Sequence, residues 1–392
     1  MTATDKASEL PHLTNYLKDL YHCSDCGYCV DAIWEERDID HICATLESHS
    51  PGLSYSGQGY IKTARAWVEG EDLPLASVSE HAFTCTSCGN CERICPIGMR
   101  PMEINRALRS ELIARDLAPE SAVAIQKNVL EQQNPAGAPR AERYHWAQNI
   151  ETAERAELVY LPGCASAYAR PQEAQAAMRL LQAAGVPVKI LGDSDSCCGA
   201  PLRELGFSDD AARQSEQLGA ALAKQSFNLL VTSGCECAHA LANEDRQTSF
   251  AGWLASALTE GKLQLAARSS TPKVSCIESC QATLGAVPND NQTLYDILGR
   301  LGVTVNGGAP TSRFAMCCGA GGGAPAMHPQ SSTEMARARM REATAKGQPD
   351  AIVSIDPRCV AHLDAARSDG DPPVYGLAEF VDTHFHLSAE GN

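Results

Sequence analysis

Cys85, Cys88 and Cys91, followed by Cys95 and Pro96, stand at the spacing C-x2-C-x2-C-x3-C-P, and no other stretch constrains the fold as tightly. Two intervening residues let a tight loop turn three thiolates inward on one centre. The fourth cysteine, ahead of a proline that stops a helix, is thrown outward. That spacing is the ligand run of a [4Fe-4S] cluster whose fourth cysteine serves a second cluster, so a second set of thiolates is expected elsewhere in the chain.

Cys23, Cys26 and Cys29 form that set, again C-x2-C-x2-C with a glycine, Gly27, after the middle cysteine. No C-x3-C-P follows. The next cysteine is Cys43, displaced by what reads as an insertion, Glu35 to Asp40. Two pairings follow. In the crossed one, Cys95 joins Cys23, Cys26 and Cys29, and Cys43 joins Cys85, Cys88 and Cys91; in the local one, Cys43 and Cys95 each close their own run. The spacing leaves both open, and membership of all eight is the expectation. The competing readings are all-thiolate zinc sites and, for Cys43, a small buried hydrophobe; the triple spacing, used twice, favours iron and sulfide.

The chain has 392 residues, 18 of them cysteine. So many thiols mean disulfides in a secreted chain, but Met1 to Leu10 contains no apolar signal core; a cytoplasmic, reducing setting is expected, where dense cysteine means metal. No apolar run is long enough to span a bilayer, so no direct membrane insertion is expected. A net charge of -16 and a pI near 5.1 argue against a nucleic-acid partner, which calls for basic patches.

Residues 10–118 form one expected domain, in which Met102 to Ile113 reads as an amphipathic helix with Ile104, Leu108 and Leu112 on one stripe. Asn134 to Pro139 has the Pro/Gly punctuation of a linker within a connection over 119–155. Beyond it the chain repeats with a period of roughly 120 residues, giving expected domains at 156–262 and 271–385. The first unit carries Cys164, the pair Cys197-Cys198-Gly199, then Cys235 and Cys237; the second carries Cys276, Cys280, the pair Cys317-Cys318-Gly319, then Cys359. Expected strands precede Cys164, Cys235 and Cys359, and helical stretches lie between, the grammar of an α/β unit with a parallel sheet and its ligand groups at strand ends. Side chains of adjacent residues diverge, so using both cysteines of a pair at one site needs a turn, which the following glycine permits. Duplication of the order makes buried free thiols the weaker explanation.

On these residues the chain resembles a known family. The two units look like the cysteine-rich "CCG" domains of heterodisulfide reductase subunits. The whole layout is similar to the iron-sulfur subunits of heterodisulfide reductase (D type), glycolate oxidase and anaerobic glycerol-3-phosphate dehydrogenase, and Ser233-Gly234-Cys235 and Cys317 to Gly322 look most like the glycolate oxidase branch. The resemblance implies an α+β multidomain fold: a helical two-[4Fe-4S] ferredoxin-like module, then a duplicated α/β CCG region. It also implies one or two further clusters, non-cubane in the heterodisulfide reductase branch, held by a lone cysteine, the CC pair and a final C-x2-C. The chain departs from that ending. Cys235-Glu236-Cys237 is one residue too close, and Asp356 stands where the first cysteine before Cys359 would fall. Cys237 and Cys276 therefore fit either ligand or bystander, and both stay in the candidate set.

The resulting expectation is an iron-sulfur electron-transfer subunit of a cytoplasmic oxidoreductase complex, working with a flavoprotein dehydrogenase or a quinone-linked membrane subunit that would hold it at the inner membrane face. No flavin or nicotinamide fingerprint occurs, and Gly321 to Gly323 match no phosphate loop; they read as turn and close-packing residues. His239 and His362 read as structural histidines. The alternatives are a chain that itself reduces a disulfide or other sulfur substrate at a CCG cluster, and a zinc-stapled scaffold.

Overall fold

A computed structural model describes residues 9–31, 39–48, 52–284, 290–307 and 314–387. The amino-terminal residues 1–8 and residues 35–38 of the expected insertion lie outside the described residues.

The amino-terminal module is helical. Helix α1 (Gly57–Glu69) packs on α3 (Pro101–Ile113), and α2 (Leu75–Ala82) lies across α3. Pro101 opens α3 because its fixed φ suits a first helical turn whose N–H is unpaired anyway. Ile104, Leu108 and Leu112 are all fully buried, at 0% exposure. The polar face is buried too, including Arg109, Ser110 and Glu111, because α3 lies between the rest of the module and the first CCG unit. One hydrophobic core runs from Leu13, Ile61 and Phe83 through Leu108 to Leu202, Leu205 and Phe207.

The connection is folded rather than a free tether. It begins with α4 (Glu120–Gln132). Asn134 is fully buried, and its side-chain amide donates to the carbonyls of Gln132 (2.9 Å) and Ala138 (2.7 Å).

Each CCG unit has a four-stranded parallel sheet. The first comprises β1 (Leu158–Leu161), β2 (Val188–Lys189), β3 (Leu229–Thr232) and β4 (Gln247–Ser249), in the order β2-β1-β3-β4. A short strand, β5 (Leu265–Ala267), leads into the second sheet, whose strands β6 (Lys273–Cys276), β7 (Thr304–Asn306), β8 (Ala351–Ser354) and β9 (Val374–Gly376) run in the order β7-β6-β8-β9. The same strand order in both confirms the duplication. Strand burial is continuous along β1 and β8, as sheets covered on both faces require.

The helices of the first unit are α5 (Pro171–Ala183), α6 (Ala200–Leu205), α7 (Ser208–Ala223), α8 (Cys235–Ala240) and α9 (Phe250–Thr259). The second has α10 (Asp290–Arg300), α11 (Pro329–Ala345), α12 (Pro357–Ala365) and α13 (Leu377–His384). The units pack reciprocally: α5 of the first lies on α13 of the second, and α9 of the first on α10 of the second. A shared core joins Tyr160, Leu181, Val231 and Trp253 to Val274, Leu294, Val353 and Phe380. The closing strand β10 (Phe385–Leu387) pairs antiparallel with β5 and ties the carboxyl end to the connection between units.

Candidate iron-sulfur centres and redox cavity

All eighteen cysteines are free thiols, and sixteen of them fall into four groups of four. Cys23, Cys26, Cys29 and Cys95 line one small cavity with Gly27, Pro96 and Met99; this outer group is the one at the surface, with Cys26 exposed. Burial, with Cys23, Cys26 and Cys95 adding charge repulsion, pushes the Cys29 thiol up to about 12. Cys43 lies instead with Cys85, Cys88 and Cys91. Burial first and Cys85 after it lift Cys43 to about 11, and burial, with Cys85, Cys43 and Cys29 among the neighbours, raises Cys91 further. The structure thus places Cys95 with the first run and Cys43 with the second, the crossed arrangement. Backbone amides donate to sulfur in each, Met99 to Cys95 (3.2 Å) and Ser87 to Cys85 (3.4 Å), the kind of contact that tunes a cluster.

In the first unit, Cys164, Cys197, Cys198 and Cys237 line one cavity and act on one another's thiols in that order. Cys197 and then Cys237 hold Cys198 well below the usual thiol range. The second unit gathers Cys280, Cys317, Cys318 and Cys359, with Cys318 Sγ 3.0 Å from Cys359 Sγ. Hydrogen bonds from Cys280 and then Cys88 lower Cys317 strongly. The glycine after each pair takes a left-handed φ, +81° at Gly199 and +92° at Gly319, which side chains other than glycine resist.

Two expected ligands are not brought to any group. Cys235 is buried beside Asp356 and Asp290 and hydrogen-bonded with Ser279, and Cys276 has only Glu278 as a charged neighbour. Strand register explains both. Thr232 and Ser354 end matching strands, and Cys237 and Cys359 are each the fifth residue beyond. Cys237, not Cys235, is therefore the counterpart of Cys359. Both stand in the first turn of a helix, α8 or α12, while Cys235 matches Pro357. Cys276 pairs with Val353 as Tyr160 pairs with Val231, so it occupies a core position of the sheet.

The module meets the second unit closely. Cys317 Sγ lies 3.1 Å from Thr86 Oγ1, and Cys317 is the neighbour that acts most strongly on the Cys88 thiol, raising it. This approach needs glycine: a Cβ on Gly322 would collide with the Cys85 carbonyl, and one on Gly321 with that of Thr86. The first-unit group faces outward instead, onto a cavity of about 440 Å³ walled by Cys164, Cys197, Cys198 and Cys237, the connection residues Asn134 to Ala136, and Ala320, Pro325 and Ala361 of the second unit. At its edge Arg358 pairs with Glu204 (3.0 Å) and Glu236 (2.9 Å). Glu236 and Arg358 occupy equivalent places in the two units, so this ion pair closes the pseudo-symmetric interface. His362 hydrogen-bonds through Nε2 to Ser332 (3.0 Å), a structural role; His239 joins no thiol group.

Sequence reasoning passed over the basic residues. Arg143, from the connection, pairs with Asp195 (2.7 Å), donates to the Ser196 carbonyl (3.1 Å) and reaches Cys164 Sγ (3.6 Å). Arg109 donates to the carbonyls of Ala82 (2.9 Å), Cys85 (2.6 Å) and Glu204 (2.6 Å). No motif marks an isolated arginine; a charge falling on the buried side of a tightly packed helix is the one available signal, and it needs the packing to be known. Four free thiols per group, amide donors at sulfur and a guanidinium against one thiol form a donor set that fits iron-sulfur clusters.

Comparison with known proteins agrees. A cysteine-rich (CCG) domain model matches residues 158–242 and 274–364, and a 4Fe-4S dicluster domain model matches residues 19–99. The chain is similar to the D-type polypeptide of the dihydromethanophenazine:CoB--CoM heterodisulfide reductase of Methanosarcina barkeri, 26% identical over 90% of this chain and 91% of that protein. It is also similar to the glycolate oxidase iron-sulfur subunit of Escherichia coli K12, 26% identical over 88% and 89% respectively. A probable membrane-anchored ferredoxin of Chromohalobacter salexigens is 25% identical over 73% of this chain and 45% of that protein. With one dicluster module and two CCG units in that order, the chain belongs to the CCG-domain iron-sulfur oxidoreductase subunits.

Proposed function

We propose that the chain is an electron-transfer subunit that carries electrons between a partner at the outer cysteine group and a redox terminus at the first-unit cavity. The observation that carries this reading is the approach of Cys317 Sγ to Thr86 Oγ1, 3.1 Å, inside the Cys85-to-Cys91 loop, which joins the dicluster module to the CCG region at a cysteine of the second unit. The order of stations is the Cys23 group, the Cys43 group, the second-unit group, then the first-unit group. The clusters, when bound, supply one-electron chemistry; the chain contributes the rest. Gly321 and Gly322 hold the second unit against the Cys85 loop. Burial of Cys280, Cys317, Cys318 and Cys359 keeps water from the second-unit group, while the exposure of Cys26 leaves one edge of the outer group open to a partner. That partner is a flavoprotein dehydrogenase or a quinone-linked membrane subunit. Among the described residues no helix is long and apolar enough to cross a membrane, so membrane attachment would go through the partner, on the cytoplasmic side.

A second reading, reduction of a disulfide or other sulfur substrate by this chain, is favoured by the cavity. Four thiols on the wall of a space of about 440 Å³ put a redox centre where a small molecule fits, and two electrons and two protons would convert one disulfide into two thiols. The triple C-x2-C-x2-C spacing, used twice, speaks against a zinc scaffold, because a zinc tetrahedron is completed by two C-x2-C pairs and has no use for a third close-set thiolate. Anaerobic purification with iron and sulfide analysis, then EPR of the reduced protein with and without an added disulfide, separates the three. Colourless protein containing zinc and no sulfide overturns both redox readings. A new EPR signal on adding oxidised 2-mercaptoethanol favours the second over the first.

A further inference from the structure

Arg109 is fully buried, at 0% exposure, and its guanidinium has three carbonyl acceptors and the Phe83 ring, 5.0 Å away, as neighbours. No carboxylate among the described residues pairs with it. Buried Arg143 and half-buried Arg358, which lie near the first-unit thiols, have Asp195 and the pair Glu204 and Glu236. Carbonyl dipoles satisfy the hydrogen bonds of Arg109 but give its charge no direct ion pair, only the field of the Glu204 carboxylate, in a medium where an unpaired ion is costly. The charged groups closest to it include Cys85, whose carbonyl takes its Nη2 at 2.6 Å. Four thiolates around an iron-sulfur cluster carry net negative charge, which increases by one on reduction. Burial in low dielectric makes that interaction strong and shields it from salt.

We propose that Arg109 is the counter-ion of the cluster held by Cys43, Cys85, Cys88 and Cys91, and that it raises the midpoint potential of that cluster. The guanidinium touches the backbone of a ligand residue and not its sulfur, so it acts by charge and position and leaves ligation to the thiolates. Its third contact, to the Glu204 carbonyl at 2.6 Å, anchors the cation to the first CCG unit, so the inner cluster meets its counter-ion fully only when module and unit are docked.

The inference rests on the reading that these four cysteines hold an iron-sulfur cluster, and the test separates the two. EPR-monitored redox titration of anaerobically purified full-length protein gives the potential of each cluster, with iron and sulfide content measured alongside. Arg109→Gln is expected to lower the potential of the Cys43-group cluster while leaving the Cys23-group cluster in place as an internal reference; Arg109→Lys, which keeps the charge, is expected to lower it much less. Wild-type protein without a cluster at the Cys43 group overturns the underlying reading. Full cluster content with equal potentials in wild type and Arg109→Gln, or equal shifts in Gln and Lys, overturns the role of the charge. If the Gln variant does not assemble, the Lys variant decides: a potential near wild type supports the proposal, and a large drop with intact clusters refutes it.

Discussion

The two CCG units share a strand order, the left-handed glycine after the cysteine pair and four gathered thiols, yet they look in opposite directions. The second unit turns its thiols inward against Cys88 and Thr86 of the module. The first turns its thiols onto a cavity and takes Arg143 from the connection. In the function proposed above, one duplicated scaffold serves two tasks through what packs against it: a junction where the module docks, and a terminus where a substrate or acceptor can reach. The binding set is common to both; the surroundings divide the labour.

Serine substitutions in the two pairs break this comparison most strongly. Cys317→Ser should remove about four irons and stop electrons supplied at the outer group from reaching the first unit, so that unit stays oxidised on the time scale of the other clusters. Cys197→Ser should remove a similar amount of iron yet leave the remaining three groups reducible at wild-type rates. Iron analysis with rapid-freeze EPR distinguishes them. If the first unit is reduced as fast in Cys317→Ser as in wild type, the second unit is not the junction.

The next effect is confined to the terminus. Arg143 and Asp195 form a buried pair, with side chains 3% and 0% exposed. Removing one partner of such a pair costs on the order of 3–5 kcal/mol, because the other charge is left buried. Arg143→Met is therefore expected to lower the thermal midpoint by several degrees and to bleach the first-unit cluster first, seen as an early visible-absorbance loss of about a quarter of the total if four clusters are present. Uniform bleaching of all clusters would show that Arg143 supports the fold at large and not the first-unit site.

How much of this the sequence showed depends on the residue. The thiols of the module, the duplication and the stripe of α3 follow from spacing and periodicity, which are local. Counted in order of occurrence, Cys235 falls opposite Cys359. Matching from the strand ends, Leu229 to Thr232 against Ala351 to Ser354, brings Cys237 onto Cys359 and Glu236 onto Arg358. Arg109 and Arg143 were not legible, because their partners are main-chain carbonyls and a carboxylate 52 positions away, and such contacts leave no periodic trace. The same holds for the Pro/Gly-rich connection, whose composition resembles a tether although Asn134 is fully buried.

A pH titration sharpens the interface between the units. Glu173 on α5 accepts from the amides of Ala378 (3.0 Å) and Glu379 (2.8 Å) at the start of α13 in the other unit. Asp290 on α10 accepts from Ser249 (2.7 Å), which caps α9. Burial raises Glu173 from about 4.5 to about 7, and Asp290 from 3.8 to about 6. Between the unfolded and folded values the folded state holds protons that the unfolded state has released, so this contribution to stability is complete below pH 4 and is lost as pH rises. The loss runs to about pH 7 for Glu173 and pH 6 for Asp290. For Glu173 it is on the order of 3 kcal/mol across the window. Glu173→Gln should flatten the fall in unfolding free energy between pH 5 and 7; an unchanged slope would show that the carboxyl titrates normally.

The smallest effects belong to the two cysteines outside the groups, and they discriminate most sharply between matching by order and matching by register. Cys235→Ala, at a buried position, and Cys276→Ala, at a partly buried one, should each cost about 1 kcal/mol of stability and no iron. Cys237→Ala, two residues from the first of these, removes a ligand and should cost the first-unit cluster. Cys276 provides the cleaner control, since its counterpart Tyr160 is a sheet-core residue that hydrogen-bonds Ser233 (2.8 Å) and has no metal to lose. Iron content equal to wild type in Cys235→Ala and reduced in Cys237→Ala is the expected pattern. The reverse would mean that α8 turns on cluster binding, carrying Cys235 into the group and Cys237 out, and the equivalence of Cys237 with Cys359 would fall with it.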